Sequence, residues 1–204
     1  MSYSDKNSDI KKDKIFYSYI KRSLDIVLAI LLLILSIPIV VTVSILIKLD
    51  SKGPILFKQN RVGRYSKDFV IYKFRTMDIN SPEVPTHQSE YRGCNVTKIG
   101  TILRKTSLDE IPQLINIIKG EMSFVGPRPL IRKEKKILVR RQELQIDRVL
   151  PGITGWAQVN GRDELKINEK LKYDYEYLNR RSIKFDIYIM FVTIIKVVKS
   201  EGIK

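Results

Sequence analysis

Arg104-Lys105-Thr106-Ser107-Leu108-Asp109-Glu110-Ile111-Pro112-Gln113, running on to Gly126-Pro127-Arg128-Pro129, sets two carboxylates between two arginines. Pro112 has no N–H to give, so it fits within the first turn of a helix. That helix is expected to start at Leu108 or Asp109, with Ser107 or Asp109 as cap, and to stop at Gly120. Asp109 and Glu110 then sit at its positive end. An anion is favoured there by roughly 0.3–1 kcal/mol, which keeps Asp109 ionised near neutral pH and usable as a nucleophile or a metal ligand. Arg104, Lys105 and Arg128 point to a second anion richer in charge than a carboxylate, and a phosphate fits. An acidic doublet in a first turn is ordinarily a cap. The flanking arginines, the Pro-Arg-Pro that fixes the backbone around one of them, and an apolar segment far upstream argue for chemistry instead.

That upstream segment, residues 26–47, contains no charged side chain. As a straight helix it would be roughly 33 Å long, enough to cross a bilayer core of about 30 Å. Two features argue against a simple crossing. Pro38 removes a hydrogen bond in mid-run and kinks the helix, with Ser36 placed to bond the freed carbonyls. Positive charge also flanks both ends, with Lys6, Lys11, Lys12, Lys14, Lys21 and Arg22 before, and Lys48, Lys52, Lys58, Arg61 and Arg64 after. The positive-inside rule therefore pulls both ends to the cytoplasm. A helix that dips into one leaflet and returns satisfies both features, and a kinked bitopic helix is the alternative.

With 204 residues, 44% of them hydrophobic, the chain can bury one core. Thirty-seven Lys and Arg against 22 Asp and Glu leave a net charge of +15, which calls for an acidic partner: nucleic acid, an anionic membrane surface or a phosphorylated substrate. Cys94 is the only cysteine and His87 the only histidine. An internal disulfide is thereby excluded, and a Cys/His zinc site or a Ser-His-Asp triad is disfavoured.

Residues 1–20 are expected to form a disordered basic tail, with Tyr17, Tyr19, Lys21 and Arg22 suited to a membrane–water interface. Residues 21–49 form the membrane helix and residues 50–204 a cytoplasmic domain. Within that domain Ile55–Gln59 and Phe69–Phe74 read as a short β-hairpin around a loop over Asn60–Lys67, and Asp78–Lys98 as an excursion of loop. Lys73 and Arg75 share one face of the second strand, a pair that can clamp an anion. A helical run over Ile99–Lys105 precedes the acidic helix. Leu130–Val149 is a basic stretch, and Pro151–Arg162 a Gly-rich loop whose glycines imply a close backbone approach. Two further helices are expected, over Asp163–Arg181 and over Ile183–Val198, the latter either core or interfacial.

Taken together, five motifs in this order resemble the bacterial sugar transferases, the monotopic polyprenyl-phosphate phosphoglycosyl transferases of the small single-domain type. They are Gly53 to Gln59, Tyr72-Lys73-Phe74-Arg75-Thr76-Met77, Leu103 to Gln113, Lys119 to Pro129, and Pro151 to Arg162. The resemblance implies an α/β membrane-associated fold: a Pro-kinked re-entrant helix with Ser36 and Pro38 at its hinge, and a compact domain with a short hairpin and several helices, some amphipathic at the interface. It places the protein on the cytoplasmic face of the bacterial inner membrane. It implies transfer of a phospho-sugar from a UDP-sugar to a polyprenyl phosphate, with Mg²⁺ as cofactor, membrane lipid as partner and no nucleic acid; a homodimer stays open. Asp109 would be the nucleophile and a metal ligand, Glu110 would help with the metal or with proton handling as the acceptor arrives, and Lys73, Arg75, Arg104, Arg128 and Arg148 would hold phosphates. Leu150 stands where some members carry a basic residue, with Arg148 two places away. The competing class is a non-catalytic, membrane-anchored basic module that binds anionic lipid or nucleic acid, and it leaves the two carboxylates among cations unexplained.

Overall fold

The computed structural model describes residues 3–79, 81, 95–161 and 165–199, with side chains from residue 16 on. It opens on two helices, α1 (Tyr3–Leu35) and α2 (Ile37–Asp50), bent by 60° at Ser36. Pro38 falls in the first turn of α2, where its missing N–H would have had no partner. Ser36 closes α1: its N–H bonds the Leu32 carbonyl and its hydroxyl the Leu33 carbonyl, each at 2.9 Å. The Ser36 hydroxyl thus bonds a carbonyl at the break, but that of Leu33 and not the Ile34 carbonyl that Pro38 would free in a continuous helix. Because α1 begins at Tyr3, much of the expected irregular tail is helical. That segment has no proline or glycine, and a helix nucleated in the apolar run can propagate backwards through it. Among the described residues no single helix is long and apolar enough to cross a membrane, whereas the bent pair passes together by length and composition.

Both arms dock on one body. Ala29 of α1 is fully buried against Ile117, Met122, Phe69 and Ile71, while Val43 and Ile47 of α2 pack with Phe74 and Leu103. Polar ties reinforce α1. Arg22 donates to the Ile117 and Ile118 carbonyls at 2.7 and 3.1 Å, and Lys21 and Tyr17 reach Asp186 at 2.9 and 2.8 Å. Three side chains expected at a membrane–water interface therefore turn inward, leaving Tyr19 exposed. The outer faces of the arms stay apolar and exposed, through Val27, Leu31 and Ile34 on α1 and Val41, Ile45 and Leu49 on α2.

The hairpin pairs β1 (Leu56–Val62) with β2 (Asp68–Phe74), Leu56 opposite Phe74 and Val62 opposite Asp68. Strand β1 outruns the expected Gln59 because Tyr65 and Ser66, both left-handed at φ 55° and 58°, make the reversal tight. There follow α3 (Lys98–Thr106), a 3-10 turn (Leu108–Glu110), α4 (Gln113–Lys119), β3 (Ser123–Val125), α5 (Lys135–Glu143), β4 (Gly152–Thr154), α6 (Trp156–Val159), α7 (Ile167–Arg180) and α8 (Ile183–Val198). Asn116 of α4 seals the outer edge of β2, donating to the Val70 carbonyl at 2.7 Å and accepting from Tyr72 N at 3.1 Å. The basic stretch is α-helical only across α5, with a 3-10 turn at Ile146–Arg148.

Strands β3 and β4 make a parallel pair that the sequence reading did not anticipate. It explains the Gly-rich loop. A Cβ on Gly152 would lie 2.2 Å from Gly126 N, and one on Gly155 would lie 2.1 Å from Gly126 O. The close approach is to the chain's own backbone. Arg162, His87 and Cys94 lie outside the described residues, and the ends of the loop excursion are joined by a Met77–Val96 bridge. A second core of Val125, Val159, Tyr177, Phe185 and Ile189 seats α8, whose outer stripe Ile187, Phe191, Ile194 and Val198 is exposed.

Gly152→Ala is expected to cost about 1–3 kcal/mol by overpacking β3 against β4. Denaturation of the detergent-solubilised protein measures it, and an unchanged midpoint would contradict the backbone contact.

Candidate active site

Pro112 shapes the acidic segment differently from the expected helix. In an α-helix its N–H would bond the Leu108 carbonyl; lacking it, the chain tightens, with Glu110 N on Ser107 O and Ile111 N on Leu108 O, both at 3.2 Å. Asp109 and Glu110 therefore occupy a 3-10 turn, and the α-helix starts only at Gln113. Gly120, left-handed at φ 85°, ends it as expected. Upstream, Ser107 takes a left-handed conformation at φ 56° and terminates α3. Such a residue costs on the order of 1–3 kcal/mol. It reverses the chain three residues after Arg104, whose charge favours the ionised form of Asp109.

From across the hairpin comes Lys73. Its ammonium lies 2.6 Å from Glu110 Oε1 and 3.6 Å from Asp109 Oδ2, so one cation serves both carboxylates. Arg104 is oriented by Thr76, whose hydroxyl accepts from Nε at 3.1 Å. Asp109 is 9% exposed, and burial pushes its carboxyl above the ordinary value. Lys73 pulls it back, the Glu110 charge raises it again, and Arg104 opposes that rise. Desolvation, and not the end of a helix, is thus the leading influence on Asp109.

The structure brings Lys73, Arg104, Asp109 and Glu110 together, and holds Arg75 and Arg148 elsewhere. Arg75, expected beside Lys73 as an anion ligand, is 5% exposed and bonded to backbone carbonyls at the end of α2. Strand β2 ends at Phe74, so the alternation that would align the two cations stops before it reaches Arg75. Arg148 sits at the far end of the hairpin, where its carbonyl accepts from Arg64 Nε at 2.8 Å. From Lys73 to Asp68, at that end, β2 rises five residues, about 17 Å. Arg128 follows β3 in a turn whose carbonyls are clamped: Pro127 O by Gly152 N at 3.0 Å, Arg128 O by Arg141 at 2.8 Å, Pro129 O by Arg61 at 3.2 Å. Arg141 is held in turn by Asp174 of α7 at 2.7 Å.

The sequence reading gave Thr76, Arg141 and Asp174 no role at the site. Asp174 carried a signal: it shares the buried face of α7 with Leu171 and Tyr177, three residues to either side. A carboxylate in an apolar stripe needs a buried partner.

Comparison with known proteins bears on the same segments. The bacterial sugar transferase family model matches residues 16–200. The UDP-glucose:undecaprenyl-phosphate glucose-1-phosphate transferase of Escherichia coli is 41% identical over 185 residues, 87% of this chain and 40% of that protein. The UDP-N-acetylgalactosamine-undecaprenyl-phosphate N-acetylgalactosaminephosphotransferase of Aeromonas hydrophila is 38% identical over 197 residues, 91% of this chain and 45% of that protein. The exopolysaccharide production protein ExoY of Sinorhizobium fredii is 38% identical over 197 residues, 89% of this chain and 87% of that protein. The chain thus spans less than half the length of the first two and most of the third.

A carboxyl whose folded pKa is raised binds protons more readily in the folded state, so its ionisation costs stability as pH rises through the window above the unfolded value. Asp109→Asn is therefore expected to raise the unfolding midpoint at neutral pH, with the gain shrinking as pH falls toward the ordinary aspartate value and gone below it. A midpoint lowered at pH 7 would contradict the dominance of burial.

Proposed function

The chain belongs to the bacterial sugar transferase family, and from that premise we propose that it moves a phospho-sugar from a UDP-sugar to undecaprenyl phosphate or a similar polyprenyl phosphate, releasing UMP. The observation that carries this reading is the Asp109–Glu110 pair facing Lys73, with Arg104 within electrostatic reach. In the first half-reaction an Asp109 oxygen attacks the β-phosphorus. The bond from that phosphorus to the bridging oxygen breaks, and UMP leaves with the electron pair. An oxygen of the lipid phosphate then attacks the same phosphorus, and the Asp109 carboxylate is regenerated as the second bond breaks.

The chain's residues suit this sequence. A carboxylate needs no base to remove a proton before it attacks. Burial makes Asp109 more basic, hence more nucleophilic once ionised, while Lys73 and Arg104 favour that ionised form. Lys73, Arg104 and Arg128 would hold the phosphates, and fixed cations of this kind act where charge develops on the phosphoryl group. Asp109 and Glu110 also fit Mg²⁺. It takes hard oxygens, commonly one or two carboxylates with phosphate and water completing the shell. Among the described residues no three Asp, Glu, His or Cys side chains converge, so two carboxylates would be the protein's share. Bound there, Mg²⁺ would neutralise charge on the diphosphate.

In this reading the bent pair α1–α2 would lie in the cytoplasmic leaflet of the bacterial inner membrane as a re-entrant element. Its two arms dock on one body, and basic residues flank both ends. The exposed stripe of α8 would lie in the same interface, at the depth of the acceptor's phosphate.

Because the relatives are named for different sugars, the deciding assay is UMP release from a panel of UDP-sugars with undecaprenyl phosphate and Mg²⁺. Lipid-dependent UMP from at least one sugar is expected, lowered by on the order of 10³-fold or more in Asp109→Asn. No UMP from any sugar with folded, membrane-bound protein would contradict the reading. Separately, Phe191→Glu with Ile194→Glu is expected to weaken co-flotation with anionic vesicles, and undiminished flotation would remove α8 from the interface.

A further inference from the structure

The residues at the end of β2 divide themselves among three neighbours. Lys73 reaches the carboxylates, Phe74 is buried against Val43 and Ile47 of α2 and Leu103 of α3, and Thr76 holds Arg104. Between them, Arg75 turns to the last turn of α2. Its Nη1 donates to the Lys52 carbonyl at 3.0 Å, and its Nη2 to the Ser51 carbonyl and hydroxyl at 2.7 and 2.8 Å and to the Ile47 carbonyl at 3.5 Å. The guanidinium gathers the carbonyls of the segment just past that helix and shares the Ile47 carbonyl with Ser51 N–H, a cation placed at the helix's negative end. Gly53 is shaped to admit it: its φ is +126°, and a Cβ there would stand 2.2 Å from Arg75 Nη1.

A second tie joins the same helix to the site from the other side. Asp50, the last residue of α2, accepts from Ile99 N at 3.1 Å in the first turn of α3, the helix that carries Arg104. Helix α3 also lies hard against the end of β2, since a Cβ on Gly100 would be 2.1 Å from the Thr76 carbonyl.

We infer that Arg75 and Asp50 are positioning residues that set Lys73 and Arg104 relative to Asp109 from the seat of α2, so that the second arm of the bent pair and the charged site move as one piece. Arg75 touches no reacting group; it acts through Thr76 on one side of the strand and Lys73 on the other. The consequence for turnover rests on the function proposed above, whereas the mechanical coupling does not.

The test uses the full chain in lipid nanodiscs, with Arg75→Lys, Asp50→Ala, Thr76→Val and the double variant Arg75→Lys/Thr76→Val. Amide exchange across residues 98–106 is expected to quicken about tenfold in Arg75→Lys and Asp50→Ala, with α7 and α8 at wild-type rates. Unchanged exchange there overturns the coupling, whether or not the protein turns over. In the UMP assay kcat is expected to fall roughly tenfold or more, with KM for the UDP-sugar within about twofold. A raised KM with kcat intact would make Arg75 a direct substrate ligand and overturn its assignment. The double variant should be no slower than the slower single one, and additive losses would overturn the route through Arg104. Should wild-type protein release no UMP, the proposed reaction fails, while the exchange measurement still decides the coupling.

Discussion

One ammonium between two adjacent carboxylates is the interaction on which the rest depends. Asp109 and Glu110 cannot both be held charged in a half-buried turn without a fixed cation, and Lys73 is that cation. A lysine on a strand and a carboxylate pair on a turn far along the chain meet only if hairpin, turn and helix α4 are locked together. Asn116 makes that lock by pairing with the edge of β2, and the cluster of Phe69, Ile71, Leu114 and Ile117 fills the space beneath it. The core is thus arranged to hold charges that water would otherwise solvate.

The bent helix pair enters this arrangement as a structural member. Ala29 completes the core below the hairpin, Arg22 caps α4, and α2 receives Arg75 and Asp50. An element that in composition reads as a membrane anchor is therefore part of the frame of the charged site. Its outer surface is apolar and its inner surface carries polar ties, a division that suits a helix shared between lipid and protein.

Legibility in the sequence followed the range of the interactions. The kink at Ser36–Pro38, the stop at Gly120 and the hairpin were readable because proline, glycine and strand alternation act locally. The helix over Asp109 was misplaced for a physical reason: Pro112 was credited with starting a helix, when its missing donor instead tightens the preceding turn into 3-10 geometry. Arg75 was paired with Lys73 by strand alternation and Arg148 proposed for its nearness to Leu150, and neither argument says where the strand ends or which carbonyls wait beyond it. The parallel pair β3–β4 was hidden because its strands are three residues each and pair across a long separation. Its trace was in the glycines, read correctly as a close approach but without their partner.

The central claim is that Asp109 is the atom-bearing nucleophile of a two-stage transfer. Its most direct test is the intact mass of full-length protein incubated with its UDP-sugar in the absence of polyprenyl phosphate, followed by peptide mapping. The account predicts a mass increase of one phospho-sugar located on Asp109, which disappears when undecaprenyl phosphate is added. UMP formed only when both substrates are present, with no adduct on Asp109 at any stage, would contradict it.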